Sequence, residues 1–133
     1  TIILVMNKTI FTTGIFFGIV AVILGAFASH GLKNLITTEA METFKTGVTY
    51  QMYHALLLLV LGGFTNIPEK SKKLVYWLLS VGIVLFSFSI YALATNALTS
   101  FDFKLIGIIT PMGGTLLIAG WVLLGIRCLK DFK

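Results

Sequence analysis

Residues 9–29 form an apolar run without a single charged side chain. It is as long as the roughly 20 residues that an α-helix needs to cross a bilayer. Residues 74–95 and 105–126 have the same character, and residues 47–64 form a fourth run that is shorter in apolar terms. Hydrocarbon offers the backbone no hydrogen-bond partner, so a chain that enters it must form helices or a closed barrel. We therefore expect an all-α integral membrane protein, a single domain over residues 1–133 with these four runs as spans.

Composition supports this class of protein. The chain is 57% hydrophobic and 11% charged, whereas a soluble domain carries about 25% charged residues. The net charge of +5 does not indicate nucleic acid as a partner, because the basic residues lie at the ends of the apolar runs. There they would meet lipid headgroups, so the expected partner is the bilayer.

The distribution of basic residues predicts the orientation in the membrane. Four spans place both termini on one side, and cytoplasmic loops carry an excess of lysine and arginine. That side would carry Lys8, Lys70, Lys72, Lys73, Arg127, Lys130 and Lys133, and the other side Lys33, Lys45 and Lys104. We therefore expect a multi-pass protein of the cell (plasma or inner) membrane with cytoplasmic N- and C-termini.

The second span is preceded by a pattern typical of a helix start. Thr38 is the predicted N-cap, and Glu39 and Glu42 follow in the first turns, where acidic groups interact favourably with the helix dipole. The pattern predicts one helix over residues 39–64 that begins in the interfacial region and then enters the bilayer.

Small residues recur at spacings of three and four along the spans. Helices in lipid associate through close packing of such residues, and an average spacing near 3.5 favours a left-handed bundle. The predicted packing positions are Gly14, Gly18, Gly25, Gly47, Gly107, Pro111 and Gly114. Pro111 also leaves the carbonyl of Gly107 without its helical hydrogen bond, so that this carbonyl needs another partner.

Polar side chains concentrate in the half of the bilayer away from the termini. Tyr50, Gln51 and His54 fall within an arc of roughly 100° on the second helix. Ser87, Tyr91 and Thr110 come to a similar depth from the other helices, and His30 lies at the end of the first span on the same side. Two interpretations remain open, an internal packing network and a ligand-binding pocket lined by His30, Tyr50, Gln51, His54, Ser87, Tyr91 and Thr110. No motif of a catalytic site or metal site is found, and no cofactor is expected.

Three segments carry a resemblance to a known family. They are LGAFASHGLK at residues 24–33, FKTGVTYQMYHAL at 44–56, and TPMGG at 110–114 followed by Gly120 and Trp121. With them the chain resembles the YwdK/YgdD group of small bacterial membrane proteins, which has eukaryotic TMEM-type relatives and is classed as a domain of unknown function. Ser29 and Phe88 depart from the family pattern. The resemblance implies a four-span inner-membrane protein and supplies no activity, cofactor or catalytic residue.

Two functions are consistent with these observations. The first is a non-enzymatic accessory or assembly subunit of a larger membrane complex, which associates with other subunits or with itself. The alternative is a membrane-embedded protein that binds a lipid, quinone or similar amphiphile through a polar pocket in the outer leaflet half.

Overall fold

The computed structural model describes residues 7–99 and 106–132, most of which are helical. Over these residues the chain forms four long helices and no strand. The helices are α1 (Lys8–His30), α2 (Thr38–Gly63), α3 (Glu69–Ala94) and α4 (Ile106–Asp131). A short 3₁₀ turn, Asn96–Leu98, follows α3. The all-α prediction is confirmed.

Three of the helices, α1, α3 and α4, are long and apolar enough to cross a membrane. Helix α2 has 26 residues, which is also sufficient length, but its composition is more polar. It begins with Glu39, Glu42 and Lys45 and carries Gln51 and His54 further along. Three of the four expected spans therefore have helices of the required kind, and the fourth remains a prediction.

Polar side chains determine where α1 and α2 begin. Asn7 caps α1, since its Oδ1 accepts a hydrogen bond from the backbone N–H of Ile10 at 3.1 Å. Thr37 caps α2, with its Oγ1 accepting from the N–H of Ala40 at 3.0 Å. The predicted cap, Thr38, is already the first helical residue. Both threonines suit the role chemically, but the extended backbone that an N-cap requires is adopted by Thr37.

The helices share one apolar core, although they are not equivalent within it. Helix α1 packs along α2, α4 packs along α3, and α2 contacts α3. Phe17, Leu58, Leu79, Ile83 and Leu117 bring all four helices into this core. Because α4 lies mainly against α3, the outer side of the α2–α4 boundary is left as an open groove.

Helix α3 contains a wide turn, a π-helical segment at Val84–Phe88. Such a segment holds one residue more than the α-helical turn that it replaces. Here α4 approaches closely, since a Cβ added to Gly113 would lie 2.7 Å from the carbonyl carbon of Leu85. Helix α4 itself continues through Pro111 to Asp131 without a break.

The predicted packing positions differ in how closely their neighbours approach. An added Cβ at Gly14 would lie 2.8 Å from the Ala55 carbonyl oxygen, and one at Gly47 would lie 2.7 Å from the Tyr91 ring. At Gly25 and Gly114 the nearest atoms would be 3.5 Å away, and at Gly18 4.0 Å away, which are ordinary contact distances. Apart from the backbone of its own helix, no described atom would lie within 4 Å of a Cβ at Gly107. Close approaches that the spacing did not single out occur at Gly62, Gly82, Gly113 and Gly120.

Candidate functional site

Gln51 is the centre of a buried polar network that connects three helices. Its side chain is completely buried. The amide Nε2 donates to the carbonyl oxygen of Phe17 on α1 at 2.8 Å, and Oε1 accepts from the hydroxyl of Tyr91 on α3 at 2.6 Å. Since a buried amide that lacks partners is costly, the arrangement holds α1, α2 and α3 in one relative position.

Ser87 extends the same network. It is buried in the wide turn of α3, and its hydroxyl donates to the carbonyl oxygen of Gly47 on α2 at 2.8 Å. The ring of Tyr91 lies over Gly47 and packs against Phe44, with ring centroids 4.8 Å apart. Gln51, Ser87 and Tyr91 together form what we call the buried network, in which each polar side chain is bonded to protein atoms.

His54 lies outside the buried network and pairs with a residue of α4. Its Nε2 accepts a hydrogen bond from the indole N–H of Trp121 at 3.0 Å, and its Nδ1 lies 2.7 Å from the carbonyl oxygen of Tyr50. An indole nitrogen only donates and a carbonyl only accepts. The two partners therefore select the neutral ring with its proton on Nδ1, and they occupy both of its nitrogens.

Beside this pair runs an apolar groove of about 590 Å³ between α2 and α4, which we call the α2–α4 groove. Its floor and walls are mainly aromatic and aliphatic. They comprise Tyr50, Tyr53, His54, Leu56, Phe86, Gly114, Leu117, Ile118 and Trp121.

The structure divides the seven predicted ligand-binding residues among different places. Gln51, Ser87 and Tyr91 belong to the buried network, whereas Tyr50 and His54 line the α2–α4 groove. Thr110 pairs with Ser89 through their hydroxyls at 2.6 Å, at the α3–α4 contact. His30 is exposed at the end of α1. The seven residues therefore do not line one common pocket.

Lys72 is a residue whose role the sequence pattern did not reveal. The charge pattern predicts that it faces lipid headgroups, but it is completely buried. Its Nζ donates to the carbonyl oxygen of Phe64, just after α2, and pairs with the Glu69 carboxylate at 3.1 Å. A signal was available, because Glu69 and Lys72 have the i, i+3 spacing of a helical ion pair. Their burial depends on tertiary structure.

These features define a small helical membrane protein whose interior polar groups mostly bond to one another, and comparison with known proteins agrees. Residues 24–114 match a family described as "Protein of unknown function (DUF423)". A UPF0382 membrane protein of Staphylococcus saprophyticus is 39% identical over 123 residues, which covers 92% of this chain and 98% of that protein.

Two other relatives have similar coverage. The UPF0382 membrane protein YwdK of Bacillus subtilis is 35% identical, covering 92% of this chain and 98% of YwdK. A UPF0382 membrane protein of Haemophilus influenzae is 39% identical, covering 86% and 88%. The chain belongs to this family of membrane proteins, which confirms the resemblance to YwdK. No solved structure shows a significant match.

Proposed function

We propose that this chain is a four-span protein of the cell membrane that acts by association, as a non-enzymatic accessory or assembly subunit of a larger complex. The proposal has two parts, the membrane topology and the mode of action, and each is open to a separate experiment.

The topology requires that α2 also crosses the bilayer. Helix α2 lies between α1 and α3 and contacts both, and both neighbours are apolar enough to span. Its polar side chains Gln51 and His54 are bonded to protein atoms, so they do not meet lipid unpaired. With four crossings, both termini lie on the cytoplasmic side, where the basic residues are more numerous. The small-residue spacing favours left-handed crossings.

Thiol labelling in intact cells tests this topology. In a Cys128→Ser background, Thr99→Cys should react with a membrane-impermeant reagent, and Phe132→Cys should react only after the membrane is opened. The reverse pattern would contradict the orientation. Asn7→Cys, at the start of α1, should behave like Phe132→Cys, because four spans place both ends on one side. Labelling of only one of these two positions in intact cells would contradict an even number of spans, and with it the crossing of α2.

The mode of action rests on the bonding of the interior polar groups. Every side-chain polar atom of Gln51 and His54 is hydrogen-bonded to another group of the chain. Ser87 and Tyr91, both on α3, are hydrogen-bonded to α2. Among the described residues, one buried side-chain atom lacks a partner, the Ser80 hydroxyl oxygen. An interior engaged in this way favours packing over binding or chemistry, so the outer surface becomes the candidate for function.

One part of that surface fits a helix of another membrane protein. A shallow apolar depression of about 490 Å³ runs between α1 and α2. Gly18 lies in it, and a Cβ there would meet only Ala55 at 4.0 Å. Exposed Ile15, Ile19 and Val22 flank it. In lipid, a small residue among larger ones permits the close approach of a partner helix.

Two glycine variants separate association from folding. Gly18→Leu should leave the chain folded but should remove a stoichiometric partner, or the self-associated form, recovered in mild detergent. Gly14→Leu should unfold the chain, because its side chain would collide with the Ala55 carbonyl oxygen. If the unmodified chain is purified from native membranes as a monomer without a partner, the result would count against the proposal. An unchanged complex of the Gly18→Leu variant would exclude this surface.

A further inference from the structure

The outer surface of α2 carries a depression that changes from polar to apolar along the helix. Its deep part is the α2–α4 groove of about 590 Å³. A second depression of about 420 Å³ lies nearer the start of α2 and is lined by Lys45, Glu42 and two threonines. Both are bordered by Tyr50 and Tyr53. The two depressions are therefore neighbours, with these tyrosines as their common border.

The length of this surface matches one leaflet of a bilayer. From Lys45 to Leu56 the helix rises about 17 Å at 1.5 Å per residue. One half of the hydrocarbon core is about 15 Å thick. Lys45 therefore lies near the headgroups when Leu56 lies near the middle of the membrane. Tyr50 and Tyr53 lie between them, and Tyr50 is the nearer to the headgroups.

The polar end has a positive charge that the protein does not neutralise. Lys45 is exposed and makes no ion pair within residues 7–99 and 106–132. It also borders a neighbouring depression of about 510 Å³ that contains Lys33. Glu42 lines both depressions, so two lysines face one carboxylate. The balance favours an anionic group.

The apolar end accepts hydrocarbon but offers little to a polar ligand. Both nitrogens of His54 are already bonded, and the remaining walls include exposed Ile118 and the ring of Trp121. A ligand that lies along the whole depression must therefore combine an anionic head with an apolar chain.

We propose that one anionic phospholipid binds lengthwise on α2. Its phosphate group faces Lys45 and Lys33, and one acyl chain occupies the α2–α4 groove beside Tyr53, Ile118 and Trp121. This site shares Leu56 with the depression between α1 and α2, but Lys45 and Ile118 lie outside that depression, so either proposal can fail without the other.

Native mass spectrometry of the full chain, delipidated in detergent, tests the site with two probes. Dioleoylphosphatidylglycerol should bind more tightly than dioleoylphosphatidylcholine, which has the same chains and a neutral headgroup. Each lysine near an anionic lipid surface contributes about 1 kcal/mol, or roughly fivefold in affinity. Lys45→Gln should therefore weaken binding of phosphatidylglycerol about fivefold, and Lys8→Gln, at an exposed lysine on α1, should not change it.

The apolar end is tested by filling it. Ile118→Trp should weaken both lipids, and Ile108→Trp, at a similarly exposed isoleucine of α4, should weaken neither. Both positions are exposed, so neither substitution should unfold the chain. Equal binding of the two lipids, or an unchanged affinity of Lys45→Gln, would overturn the headgroup assignment. An unchanged Ile118→Trp variant would overturn the groove, and competition by inorganic phosphate would reduce the site to an anion site.

Discussion

Removing the hydroxyl of Tyr91 tests whether the buried network holds the helices together. In the Tyr91→Phe variant, Oε1 of Gln51 loses its donor at a position with no access to water. A buried acceptor left unpaired costs about 1–3 kcal/mol. Hydrogen bonds between membrane helices contribute about 0.6 kcal/mol on average. Here we expect more, because no second donor to this acceptor is found among the described residues. We therefore expect a loss of about 1–2 kcal/mol in the free energy of unfolding.

A double-mutant cycle isolates the pair. Gln51→Leu removes the acceptor, so the Tyr91 hydroxyl loses its hydrogen bond to the amide, whereas the carbonyl of Phe17 keeps its place in the α1 helix. Gln51→Leu combined with Tyr91→Phe leaves neither group of the pair unsatisfied, so its loss should be smaller than the sum of the single losses by about 1 kcal/mol.

The measurement is the free energy of unfolding in mixed micelles, from titration with sodium dodecyl sulfate followed by circular dichroism. Tyr50→Phe is the matched control, because the Tyr50 side chain is 41% exposed. Its effect should stay within about 0.5 kcal/mol. If the two network substitutions add within about 0.3–0.5 kcal/mol, the residues are not coupled and the buried network does not stabilise the fold.

Two further substitution pairs test close packing and buried charge by the same measurement. Gly113→Ala should lower the free energy of unfolding by about 1–3 kcal/mol, because its Cβ would lie 2.7 Å from the Leu85 carbonyl carbon. Gly107→Ala should raise it by about 0.5–1 kcal/mol through helix propensity. Equal stabilities of the two variants would refute the close contact. Lys72→Met should lower the free energy of unfolding by about 1.5–3 kcal/mol, because hydrogen bonds from a charged donor are lost. Lys73→Met, at an exposed lysine, should change it by less than about 0.5 kcal/mol. Equal stabilities of the two variants would contradict the burial of Lys72.

Much of the fold follows from the sequence because apolar runs of membrane length can form little other than helices. The grouping of Gln51 with Tyr91 could also be predicted, since the helical arc and the depth in the bilayer place both in the same region. The pairing of His54 with Trp121 could not, because spacing along one helix does not say which way a ring turns or which side chain of another helix it meets. A helical wheel describes one helix and leaves its neighbours unknown.

The remaining differences have the same origin. Spacing assigned Gly114 to the helix contact, whereas its neighbour Gly113 makes the close approach, since α4 is rotated by the helix against which it packs. Counting charges places Lys72 at the membrane surface. It takes no account of the Phe64 carbonyl oxygen, which accepts a hydrogen bond from Lys72 inside the protein. Which neighbour a side chain contacts depends on the packing of one helix against another, and no local pattern in a single sequence shows it.

The wide turn of α3 has a consequence for the angular phase of the helix. In an uninterrupted α-helix, Tyr91 would be turned by about 80° from Ile83, since eight steps of about 100° exceed two full turns by that amount. The extra residue within Val84–Phe88 takes up about one step, so Tyr91 returns to within about 20° of Ile83. One face of α3 can thereby continue from the apolar core to Gln51. Removing one residue inside the turn should preserve that alignment, because the remaining residues can then form regular α-helical turns.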